Sequence, residues 1–129
     1  MLVFRFEQED GTGAYCNISY ENHTHHTGHP GPKDDLTPEL KKEVSETGNI
    51  GYPMGLLREK LGKAKYDSDD VIFGFASLKD AYKWFNKSEI TEKQLPGNVF
   101  LSAYMIPEDK VIILKSQVVF DKNFAQKIN

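Results

Sequence analysis

A chain of 129 residues with 39% hydrophobic and 27% charged residues falls within the range of one folded domain and outside that of disordered chains. Sixteen Lys and Arg against nineteen Asp and Glu leave a formal charge of −3, so broad phosphate-backbone binding, and with it a nucleic-acid partner, is not expected. No apolar run is long enough to span a membrane, the start of the chain carries no secretion signal, and the single cysteine, Cys16, allows no internal disulfide, which together predict a cytoplasmic protein.

Leu2, Phe4 and Phe6 alternate with Val3, Arg5 and Glu7, the period-two pattern of a half-buried strand. The rings of Phe4 and Phe6 mark the buried face, and Arg5 points away from it. Asp10 to Gly13 reads as a turn, and Ala14 to Tyr20 suits either a second short strand or an extended loop. Residues 21–35 lose all hydrophobic periodicity and are rich in His, Thr, Gly and Pro, which predicts a long surface loop. Thr37, Pro38 and Glu39 then carry the marks of a helix start, an N-cap followed by proline and an acid in the first turn. Leu36, Leu40 and Val44 share one face of that helix, and Gly48 should end it. A shorter helix is predicted over Leu56 to Leu61, between Gly55 and Gly62, with Arg58, Glu59 and Lys60 outward.

Val71 to Ala76 is an apolar run that reads as a buried strand. Ser77-Leu78-Lys79-Asp80 resembles a capping box opening a helix whose Leu78, Ala81, Tyr82 and Phe85 form an apolar stripe. Thr91 to Leu95 suits one more helical turn. Residues 99–106 alternate, Pro107 to Lys110 supplies a turn, and Val111 to Leu114 follows, which predicts a hairpin of these two strands, with Val118 to Phe120 extending or following the second. The whole order predicts a single α+β domain over residues 1–129, built on a mixed, mostly antiparallel sheet with three or four short helices.

Few residues stand out as carriers of chemistry. His23, His25, His26 and His29 fall within one short stretch, and imidazole is a common metal ligand. A structural zinc site needs about four ligands held in place, and a loop punctuated by glycine and proline holds them poorly. No resident metal is therefore expected; His23, His25 and His26 are the weak candidates, with Asp34 and Asp35 available to complete a site. Arg5 has two readings, a solvent-facing arginine or a guanidinium fork lining a cleft for an anionic group. Ser77 is read first as an N-cap and second as part of a phosphate site at a helix start. Arg58, Lys60, Lys63 and Lys65 form a basic cluster suited to a solvated helix end, and Trp84 falls beside the apolar stripe of its helix. Cys16 has no base partner in sequence and no nucleophile elbow occurs, so nucleophilic catalysis has no support.

Three stretches together carry a resemblance: Phe4-Arg5-Phe6 with Gly13-Ala14-Tyr15, then Phe73 to Leu78 leading into Trp84-Phe85, and finally Gln117-Val118-Val119-Phe120. They resemble small uncharacterised proteins of bacteriophages and bacteria. Their order, an arginine on a first strand, an aromatic-X-serine on a middle strand and a Gln or Glu on a late strand, is similar to the ADP-ribosyltransferase-like fold. That resemblance implies binding of NAD or another ADP-ribose-containing nucleotide. It would set Arg5 against the phosphates or the nicotinamide ribose, Ser77 near that ribose, Tyr15 in the lining, His29 in a loop over the site, and Gln117 at the position of the catalytic acid. The family uses glutamate there, whose charge favours an oxocarbenium-like transition state. Gln117 brings no charge, so the resemblance implies weak turnover or binding alone. A second expectation, from a different class, is a non-enzymatic phage accessory protein that binds and inhibits a host factor or sequesters a host signalling nucleotide.

Overall fold

The structure, a computed structural model, describes residues 1–7, 35–49, 53–65, 70–84 and 100–128. In chain order the elements are β1 (Leu2–Glu7), α1 (Pro38–Glu46), α2 (Pro53–Lys60), β2 (Val71–Gly74), α3 (Leu78–Trp84), β3 (Phe100–Met105), β4 (Val111–Ile113), β5 (Val118–Asp121) and β6 (Gln126–Lys127). Short 3-10 turns at Glu108–Lys110 and Lys122–Phe124 lead into β4 and out of β5. The strands form two antiparallel three-stranded sheets, β1-β3-β6 and β2-β5-β4, so the α+β class expected from the sequence holds.

Helix starts follow their local chemistry. Thr37 accepts a hydrogen bond at 3.2 Å from the Leu40 N–H, with Pro38 behind it at the first helical position, and α1 buries Leu40 and Val44. Its end is set by Gly48, whose φ of 76° lies where a side chain would be strained. Ser77 likewise caps α3, accepting from the Asp80 N–H at 3.1 Å.

The faces of α2 and α3 differ from expectation. Arg58 does not face outward; it is 8% exposed, because the chain turns back after α2 and brings the Lys65 carbonyl to 3.3 Å from its guanidinium. In α3 the residue pressed into the core is Ala81, fully buried, while Leu78 and Tyr82 stay exposed. A small side chain lets that helix sit close over the sheet, and Tyr82 reaches only the margin, edge-on to Phe6 at 5.5 Å.

The expected hairpin of residues 99–106 with 111–114 does not form. β3 instead pairs along its whole length with β1, from Leu2↔Met105 to Glu7↔Phe100, and Pro107 with the 3-10 turn carries the chain over to the other sheet. A six-residue ladder with β1 outweighs a three-residue one across a proline turn. The local hairpin is β4 with β5, closed where Leu114 donates to the Gln117 carbonyl at 2.9 Å. Asp35 clamps this turn: its carboxylate accepts from the Ser116 N–H, the Ser116 hydroxyl and the Gln117 N–H.

Both faces of the β2-β5-β4 sheet are covered, which explains the continuous apolar run at 71–75. Val71, Phe73 and Val119 pack under the helices against Leu40, Val44, Leu57 and Ala81. Ile72, Val118 and Phe120 face the other sheet and meet Val3 and Ile106. The backbone joins the two sheets at one bridge, Phe4 with Phe75, whose N–H groups each donate to the other's carbonyl at 2.8 and 2.7 Å. Beside it, Gly74 has no room for a side chain: a Cβ there would lie 2.5 Å from Val3 Cγ1 and 2.8 Å from the Phe4 carbonyl oxygen.

This stacking reverses the expected polarity of β1. Val3, Arg5 and Glu7 are the buried residues, Phe4 and Phe6 are half-buried, and Leu2 is exposed. The odd-numbered face is closed off by the second sheet, whereas α3 shields only part of the even-numbered one.

Candidate functional site

The space between the sheets is apolar at one end and polar at the other. Strand register builds the polar end: Arg5 stands opposite Ser102, Val3 opposite Tyr104, and Tyr104 opposite Lys127, so all these side chains share one face. Glu7, 1% exposed, accepts from Arg5 Nε at 2.9 Å through Oε2. Its Oε1 accepts from the Tyr104 hydroxyl and lies 3.4 Å from Lys127 Nζ. Arg5 Nη1 donates to the Phe73 carbonyl at 2.7 Å, which ties β1 to the second sheet. The Tyr104 ring, 6.0 Å from that of Phe120, forms the border with the apolar end. Ser102 Oγ is buried there without a hydrogen-bond partner.

Burial, and then the hydrogen bond to the Glu7 carboxylate, push the Tyr104 hydroxyl well above its ordinary range against the opposing pull of Arg5, so it stays a proton donor to Glu7. Both Glu7 oxygens are engaged, Oε2 by Arg5 and Oε1 by Tyr104 and Lys127. The Arg5–Glu7 pair, bonded in turn to Tyr104, Lys127 and the Phe73 carbonyl, works as a polar clasp that links β1 to β3, β6 and β2.

A second clasp lies outside that space. Lys63 Nζ sits 3.1 Å from Asp121 Oδ2 and 3.4 Å from Asp70 Oδ2, and Asp121 is fully buried. Hydrogen bonding to Asp121, with its charge, raises the Lys63 ammonium above its usual value despite burial, and hydrogen bonds from Asn123 and Lys63 hold Asp70 below the usual carboxylate range. Lys63 is thus not part of a solvated helix end, and Lys60 pairs with Glu43 at 2.8 Å.

Of the residues that the ADP-ribosyltransferase resemblance put at a nucleotide site, Arg5, Ser77 and Gln117 are described, and they do not hydrogen-bond to one another. Arg5 is neither solvent-facing nor open to an incoming anion on the side held by Glu7. Ser77 is the N-cap of α3. Gln117 is 1% exposed, and neither atom of its side-chain amide finds a hydrogen-bond partner. Tyr15, Cys16, His23, His25, His26 and His29 lie outside the described residues. Among the described residues no group of three or more His, Cys, Asp or Glu is placed to hold a metal ion, and the Asp35 oxygens are taken by the β4–β5 turn. Sequence reasoning missed the clasp around Glu7, although opposite charges two apart on a strand, Arg5 and Glu7, share a face and were a usable signal.

The opposite, outer face of the β1-β3-β6 sheet is apolar. Leu2, Phe4 and Phe6 stand directly across from Met105, Ala103 and Leu101. Gln126 pairs with Met105, and Ile128, whose N–H donates to the Ala103 carbonyl, comes beside Ala103. Leu2, Met105 and Ile128 are 40%, 45% and 51% exposed, Phe4, Phe6 and Leu101 are half-buried and Ala103 is buried, and none of the described residues on this face is acidic or basic.

Residues 1–129 match the family described as bacteriophage T4 Y00F protein. The chain belongs to that family. It is also similar to an uncharacterized 19.7 kDa protein from the motB-dexA intergenic region of Enterobacteria phage T4, with 43% identity over 54 residues, 42% of this chain and 32% of that protein. The match therefore spans about a third of that relative. No solved structure matches. The likeness to the ADP-ribosyltransferase-like fold is overturned by the T4 Y00F assignment over the full length, and the residues on which it rested serve other purposes: Arg5 binds Glu7, and Ser77 caps a helix. No helix among the described residues of this T4 Y00F family member is long and apolar enough to cross a membrane.

Proposed function

We propose that this member of a phage family is a non-enzymatic accessory protein that acts by binding a host protein through the outer face of the β1-β3-β6 sheet. The observation that carries this is the exposure of Leu2, Met105 and Ile128 side by side on a rigid ladder. Contiguous apolar surface in contact with water is costly to leave uncovered, and such patches mark interaction sites. The clasp around Glu7 supports the same reading, because the buried ionisable groups there bond to one another across neighbouring strands.

The test is site-specific photo-crosslinking in the bacterial host. A photoreactive residue at position 105 is expected to give one discrete adduct with a host protein, and the same residue at exposed Lys42 on α1 none. Ile128→Asp, which adds charge to the face without touching the core, should remove the adduct. Equal adduct patterns from positions 105 and 42 would sink the proposal.

A further inference from the structure

We infer that the partner docks through an amphipathic segment whose apolar stripe is flanked by carboxylates, an assignment that rests on the outer sheet face being the docking surface. The chain as a whole is acidic, with nineteen Asp and Glu against sixteen Lys and Arg, yet the described residues of that face include no carboxylate. At one end it continues onto α3. Tyr82 lies edge-on to Phe6, and Leu78 precedes it by one turn, with both side chains exposed.

Lys79 and Lys83 are the next residues along, exposed, and also one turn apart, so they run as a basic rail beside the apolar stripe. Among the described residues neither has a carboxylate partner, whereas Lys42, Lys60, Lys63 and Lys127 each have one. Asp80 is the only carboxylate on α3, and it is half-buried at the first turn. An apolar surface edged by two exposed ammonium groups that no described carboxylate meets favours a partner that brings leucine-like side chains for the sheet and acids for the rail. A basic partner is excluded by like-charge contact on both rate and affinity.

Fluorescence anisotropy on the purified full chain tests this with two synthetic amphipathic peptides that share one leucine stripe, one with glutamates on its polar face and the other with lysines. The acidic peptide is expected to bind on the order of tenfold more tightly at low salt, with the preference shrinking as ionic strength passes about 0.15 M. The double variant K79E/K83E, at exposed positions, should reverse the preference, and Met105→Asp should abolish binding of both. Equal binding of the two peptides, or a preference that survives K79E/K83E, overturns the assignment of the rail. That result is separable from failure of the docking face itself, because the crosslink from position 105 reports on the face whatever charge the partner carries.

Discussion

At the scale of single residues, the polar side chains of the core divide into those with partners and those without, and opposite outcomes are expected on replacing them. Glu7→Gln removes the charge that Arg5, Tyr104 and Lys127 share inside the protein. Breaking a buried pair from one side typically costs about 3–5 kcal/mol, so a loss of that size is expected in urea denaturation; a change under about 1 kcal/mol would mean that water reaches the pair. Gln117→Leu should do the reverse. Its buried amide meets no partner, and an unmatched group costs about 1–3 kcal/mol, so the leucine variant is expected to melt higher. A lower melting temperature would show that the amide is used. The chemical character of Arg5 was legible in the sequence, but its surroundings were not. Alternation with Phe4 and Phe6 puts an arginine on the side that usually meets water, and only the second sheet, made from residues 71–74 and 111–121, closes over it.

At the scale of elements, helix starts were readable and strand partners were not, for a physical reason. A cap such as Thr37 or Ser77 acts on an N–H three residues away, so its effect lies within the sequence window. Which strand β3 chooses depends on a competitor nearly a hundred residues distant, and the turn at 107–110 reverses the chain equally well for a hairpin or for a change of sheet. Gly74 shows how tightly the chosen arrangement is packed. Gly74→Ala would push a methyl into Val3 and into the Phe4 carbonyl, which is held in place by its bond from Phe75. Overpacking of this kind costs about 1–3 kcal/mol, and more where backbone must move. A marked fall in melting temperature is therefore expected, and an unchanged one would show that the sheets part easily at that bridge.

For the whole molecule, the two clasps set the pH range of stability. Asp70 is held below its ordinary 3.8 in the folded state, so its contribution is present above that value and lost as pH falls through the lowered one. Lys63 and Tyr104 are raised above their ordinary 10.5 and 10.0, so their contributions are present below those values and lost as pH rises through the raised ones. Melting temperature against pH should thus be level in the middle and fall below about pH 4 and above about pH 10. Asp70→Asn is expected to blunt the acid fall alone, and Tyr104→Phe the alkaline fall alone. Variant curves that simply run parallel to the parent would remove these residues from the account.

The passage of the chain from β3 in one sheet to β4 in the other bears on how the protein comes off the ribosome. Glu7 and Tyr104, joined in the finished fold, are 97 residues apart in synthesis, and β2 likewise waits for β5. Only β4 and β5 are neighbours along the chain among the described ladders. Leu2, Phe4 and Phe6 therefore leave the exit tunnel long before β3 can pair with them, and long-range pairings of this kind close slowly. Neither described sheet can be completed until late in translation, and apolar strands that stay unpaired for so long are the segments most open to misassembly.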